Sequence, residues 1–158
     1  MGSRMEDELL GRLSNNALFP DTLEGSLAYG GRQISVCLIS DKTRLPQCLA
    51  LARAIVSEIA QIDERAKNAA TDGMLYLYNE NWREYGEFNM EDGETVEVSN
   101  PELTEEEFKS RLTLTSVSVL GDRSVSLSYD IDDLFAGHEI ILTSVTTACR
   151  NFHVELAG

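Results

Sequence analysis

The chain has 158 residues, 42% of them apolar and 25% charged, which suits one globular core and excludes a disordered tail or a fibrous repeat. With 13 basic against 27 acidic residues the formal charge is −14. Such a chain repels nucleic-acid phosphates and anionic membranes, so the partner class that its charge favours is a basic protein.

Met1-Gly2-Ser3-Arg4, directly before a second methionine at Met5, reads as an expression scar, and residues 5–158 read as a single α+β domain. No apolar run reaches the roughly 20 residues of a bilayer span, and the acidic start (Glu6, Asp7, Glu8) is no secretory leader. The expected location is therefore the cytoplasm. Cys37, Cys48 and Cys149 are odd in number and far apart, so they are expected to be reduced. Together with His138 and His153 they offer no short ligand spacing, and neither a metal nor another cofactor is expected.

Leu9, Leu10 and Leu13 recur at helical spacing behind an acidic turn, which predicts a short helix over residues 5–13. Two β-rich runs follow at 23–29 and 33–39, joined by Gly30-Gly31, a pair suited to the positive φ angles of a tight hairpin turn. From Thr43 the period lengthens. Leu45, Leu49, Ala52, Ile55, Val56, Ile59, Ile62 and Ala66 predict the longest helix, begun near Pro46 and ended at Asp72-Gly73. Leu75, Tyr78, Trp82 and Tyr85 predict a second helical stripe.

Residues 86–103 read as a loop with a short strand at 95–98. Thr104 and Glu107 spell a capping box for a short helix ending near Arg111. Strands are predicted at 112–120 and 124–129 around a Gly121-Asp122 turn, and at 138–145 and 151–156 as a closing hairpin. This order implies an antiparallel, twisted sheet of about six strands with two to three helices packed on one face. Period-2 alternation leaves the other face to solvent.

Two stretches carry side chains suited to chemistry or recognition. In the first, Asp130, Asp132, Asp133 and His138 bring three carboxylates and an imidazole within nine residues, enough for the acid/base pair of a small hydrolase or transferase. The simpler reading is a capped turn in which Phe135 fills the core and Gly137 takes a positive φ. In the second, residues 80–107 hold eleven carboxylates against Arg83 alone, interleaved with Trp82, Tyr85, Phe88 and Met90. Trp82, Tyr85 and Phe88 with Glu91, Asp92, Glu94 and Glu97 form a partner-binding set. An acidic surface with aromatic anchors imitates nucleic acid and fits a basic nuclease cleft, with electrostatic steering speeding capture. The simpler reading there is a solvated loop whose aromatics belong to the core. No nucleophile elbow, phosphate-binding glycine loop or dinucleotide fingerprint is present, and no catalytic residue is assigned.

The string DLFAGHEIIL and the closing FHVELAG resemble the C-terminal signature of the bacterial domain-of-unknown-function family 2262. Asp133, Leu134, Phe135, Gly137 and His138 match it, with Ala136 where an aromatic is common. Looser matches are the glycine-bearing first hairpin, the long helix, Asn81-Trp82 and the Thr-x-x-Glu helix start. The resemblance implies a bacterial origin and no established activity. Related small acidic domains are found as immunity proteins of toxin systems, so the resemblance implies that role as an expectation. The leading expectation is a non-enzymatic immunity protein that neutralises a cognate toxin, with the hydrolase or transferase and a housekeeping interaction module as alternatives.

Overall fold

A computed structural model describes residues 4–158; Met1, Gly2 and Ser3, three of the four residues read as a scar, lie outside the described residues. The elements run β1 (Arg4–Asp7), β2 (Gly11–Asn15), β3 (Thr22–Tyr29), β4 (Arg32–Ile39), α1 (Leu45–Ser57), α2 (Ile59–Leu77) and a π-turn (Tyr78–Trp82). They continue with β5 (Glu84–Phe88), β6 (Thr95–Ser99), α3 (Glu105–Ser110), β7 (Thr113–Leu120), β8 (Ser124–Asp130), β9 (Glu139–Ser144) and β10 (Phe152–Ala157). The class is α+β, as expected, but the sheet is larger than six strands. Eight strands pair in the order β1-β2-β3-β4-β7-β8-β9-β10, and β5-β6 form a separate two-stranded sheet. Nor is the sheet wholly antiparallel: β4 and β7 run parallel, because all three helices and the β5-β6 hairpin form the crossover between them.

The predicted N-terminal helix is instead the β1-β2 hairpin. Asp7 accepts hydrogen bonds from the Leu9 and Leu10 amides, and Gly11 follows at φ +74°, so the chain turns where a helix would continue. Leu10 and Leu13 are buried and Leu9 is not, which the apparent helical spacing concealed. The long helix is likewise two helices, broken at Glu58 (φ −114°, ψ 19°). Its second half runs through Asp72-Gly73 rather than ending there. Gly73 serves close approach, since a Cβ placed on it would lie 3.4 Å from Val154. The Gly30-Gly31 turn, the capping box at Thr104 and the two C-terminal hairpins are as read from sequence.

Alternation sorts the two faces of the sheet. Ile34, Val36, Leu38, Val117, Val119, Val125, Leu127, Ile140 and Leu142 are buried in one core with Cys48, Ala52, Ile55, Ile62, Ala66 and Ala70 of the helices. The other face is paved with hydroxyls: Ser26 pairs with Ser35, Ser35 with Ser116, Ser116 with Ser128 and Ser118 with Ser126. Ser126 and Thr143 are linked across strands at 3.2 Å. All three cysteines are free thiols, Cys48 and Cys149 buried and Cys37 half-buried.

Candidate functional site

The acidic tract is neither a loop nor a continuation of α2. A π-turn ends the helix, and Glu84–Phe88 pairs with Thr95–Ser99 to make a hairpin arm. Its tip is closed by Asn89 and Glu94 (Asn89 amide to Glu94 carbonyl, 2.8 Å), by the Asn89 carboxamide taking the Glu91 amide and by Asp92 taking the Glu94 amide. All eleven carboxylates of residues 80–107 are exposed. Along the arm Tyr85 is 49% exposed, Phe88 60%, Met90 87% and Val96 59%. Cross-strand register puts Tyr85 opposite Val98 and Glu87 opposite Val96 on one face, with Phe88, Thr95 and Glu97 on the other. A two-stranded hairpin in water gains little from packing, so the rings and aliphatic groups left uncovered on this one add little to its folding.

The arm is anchored at its root. Arg83, the single cation of the tract, bonds the carbonyls of Asn79 (3.0 Å) and Asn100 (3.2 Å) and pairs with Glu84 and Glu102. Asn79 exchanges two hydrogen bonds with Leu103 (3.1 and 3.0 Å), so both stems are clipped together. Trp82 was grouped with the exposed rings, but the structure places it half-buried at this root. It meets Phe135 edge-on at 5.5 Å and His138 at 5.6 Å. Tyr78 and Phe108 also pack on Phe135, which is wholly buried. The Asp-Leu-Phe-x-Gly-His string and the Asn-Trp segment, which resembled the family separately, therefore meet in one aromatic socket beneath the arm.

In the alternative set of Asp130, Asp132, Asp133 and His138, the imidazole is bonded to backbone and not to a carboxylate among the described residues. The His138 Nδ1 lies 2.7 Å from the Phe135 carbonyl oxygen, a bond within its own turn. Asp132, at φ +49°, pairs with Arg111 at 3.8 Å; Asp130 ends β8 opposite Thr113, and the Asp133 carbonyl closes the turn onto Ala136. None of the three carboxylates is among the hydrogen-bond partners of His138 among the described residues. Of the four, His138 lines the socket, edge-on to Trp82.

A second acidic centre escaped sequence reasoning. Asp63, buried on the inner stripe of α2, accepts hydrogen bonds from the hydroxyls of Tyr29 (2.8 Å) and Tyr129 (2.5 Å) and pairs with Lys67 (3.3 Å). Burial, then the Asp63 carboxylate, pushes the Tyr29 hydroxyl up to about 12, and the same causes raise that of Tyr129. With donors on every side this carboxylate is compensated in place and ties α2 to β3 and β8. The one signal for it was a carboxylate beside Ile62 and Ala66 on an apolar helix stripe.

A cleft of about 710 Å³ lies between the β2-β3 loop and the start of α1, lined by Met5, Asn15, Pro20, Leu23, Lys42 and Leu45. None of the residues singled out above lines it. Among the described residues no group of three or more His, Cys, Asp or Glu side chains is placed to hold a metal ion, and no helix is long and apolar enough to cross a membrane. A family model described as "Uncharacterized protein conserved in bacteria (DUF2262)" matches residues 7–149, a span that includes the arm and its socket. No curated protein and no solved structure matches the chain.

Proposed function

We propose, for a chain that belongs to the bacterial family DUF2262, a non-enzymatic role in which the acidic arm captures a basic protein partner. The observation that carries this reading is the arm itself: five carboxylates, Glu87, Glu91, Asp92, Glu94 and Glu97, that pair with no cation among the described residues, beside exposed Tyr85, Phe88, Met90 and Val96 on a hairpin clipped at its root. Surplus negative potential steers a cationic surface into contact, and the rings supply the desolvated anchors that hold it. Pre-organisation by the Arg83 and Asn79 bonds lowers the ordering cost on binding. In its sharpest form the proposal is an immunity protein that, as one cytoplasmic domain, covers the active cleft of a cognate toxin, nucleases included. The set Trp82, Tyr85, Phe88, Glu91, Asp92, Glu94 and Glu97 then divides into a root (Trp82) and a contact surface (the rest).

Co-expression with the product of the adjacent gene tests this. The wild-type chain is expected to co-purify with it, and the triple substitution Glu91→Lys, Glu94→Lys, Glu97→Lys to weaken the complex by tenfold or more, with a matching fall in its salt dependence. Failure to form a complex, or a complex indifferent to the three reversals, overturns the reading.

A further inference from the structure

Among the described residues the eight-stranded sheet has two open edges, and they differ. β1 has four residues of which Arg4, Glu6 and Asp7 are charged, a guarded edge. β10 has six, with Glu155 its single formal charge, and Phe152, Val154 and Leu156 are only half-buried on the helix side. Beside β10 lies a cleft of about 530 Å³ whose walls are Arg65, Asn68, Ala69 and Asp72 of α2 and Phe152 and Val154 of the strand. Gly73 brings α2 directly down onto Val154, so the cleft sits over the free backbone edge. Unpaired amides and carbonyls next to an open cleft, with Phe152 and Val154 on its strand side and the polar side chains Arg65, Asn68 and Asp72 on its helix side, are a template for one more strand.

We infer that the occupant is β10 of a second copy, paired antiparallel with Val154 opposite its counterpart. That register sets His153 opposite Glu155 of the second copy and Glu155 opposite its His153, so an imidazole N–H faces a carboxylate twice on the solvent side, where both residues are exposed. On the helix side Phe152 meets Leu156 of the other copy, also twice, and fills the cleft. Slipping by one residue turns charge onto the apolar face; slipping by two sets His153 against His153 or Glu155 against Glu155. One register alone is complementary throughout. The arm edges cannot take this role, since five carboxylates, Glu87, Glu91, Asp92, Glu94 and Glu97, that pair with no cation among the described residues repel their own image. The arm root lies by the C-terminal end of β10, where Gly158 packs on His138 and His138 on Trp82. Antiparallel pairing therefore separates the two arms by the strand length, roughly 20 Å, beyond the screening distance of about 8 Å in physiological salt.

Sedimentation equilibrium of the full chain tests the pairing, with circular dichroism to verify folding. Wild type is expected to dimerise with concentration. His153→Glu and Glu155→His, each acting at two symmetric pairs, are expected to weaken the dimer by roughly tenfold, and the double exchange H153E/E155H to restore it. As a separate readout, oxidising a mixture of His153→Cys and Glu155→Cys chains is expected to give a cross-linked heterodimer that neither variant gives alone. A monomer at every concentration, a dimer indifferent to the single changes, a double exchange that fails to restore, or a cross-link in either variant alone overturns the inference. None of these results bears on partner capture by the arm, which the charge reversals test independently.

Discussion

Asp63 and the carboxylates of the arm are the same chemical group in opposite circumstances. Asp63 is buried and receives two phenol hydroxyls and an ammonium, so its charge is spent within the fold. The arm carboxylates are exposed, and the one cation of the tract, Arg83, pairs at the root with Glu84 and Glu102, so that Glu87, Glu91, Asp92, Glu94 and Glu97 pair with no cation among the described residues. A buried charge left unpaired is costly, so the interior tolerates one only when it is fully matched. At the surface, water removes that demand, and an unmatched row of charges persists there at small energetic cost. What separates the two regions is that one charge is matched inside the chain and the other row is left to solvent.

Four changes sharpen this contrast or break it. Asp63→Ala strands the Tyr129 hydroxyl and Lys67 and is expected to lower unfolding free energy by about 3 kcal/mol in urea titrations; a loss under about 1 kcal/mol would erase the distinction. Trp82→Ala removes two edge-on aromatic contacts at the socket and is expected to cost about 2 kcal/mol, with faster amide exchange in β5 and β6. An arm whose exchange is unchanged would not be held by that ring. The third change is alkaline pH. Because the Tyr29 pKa is raised from 10.0 to about 12, the fold prefers the neutral phenol; that stabilisation is complete below about pH 10 and disappears as pH climbs through about 12. Tyr29→Phe is expected to flatten this part of the stability profile, as thermal melts from about pH 9 to 12 would show. The smallest effect belongs to the arm: the three Glu-to-Lys reversals are expected to move stability by no more than about 0.5 kcal/mol, whatever they do to binding.

Local pattern made much of this molecule legible. Gly30-Gly31, Gly121-Asp122 and the Thr104 to Glu107 box each encode their geometry within a few residues, and each is present as read. The N-terminal segment misled because Leu9, Leu10 and Leu13 satisfy a helical period by coincidence while Asp7 and Gly11 dictate a turn. Gly73 misled because glycine ends helices and also permits close packing, and only the distant Val154 tells which applies. The same limit hid the Asp63 centre, whose partners Tyr29 and Tyr129 lie 34 and 66 residues away. For the arm, composition announced the charge and the rings, but not that the tract folds on itself, since β5 is short, interrupted by Gly86 and without a buried face.

The bonds between Asn79 and Leu103 and between Arg83 and Asn100 bring the two stems of the arm side by side before it leaves the body. Everything distal to that clip is a closed excursion whose length and lettering the remainder of the chain does not register. Substitutions beyond the clip are therefore expected to leave the folding of the scaffold that carries the arm as it was.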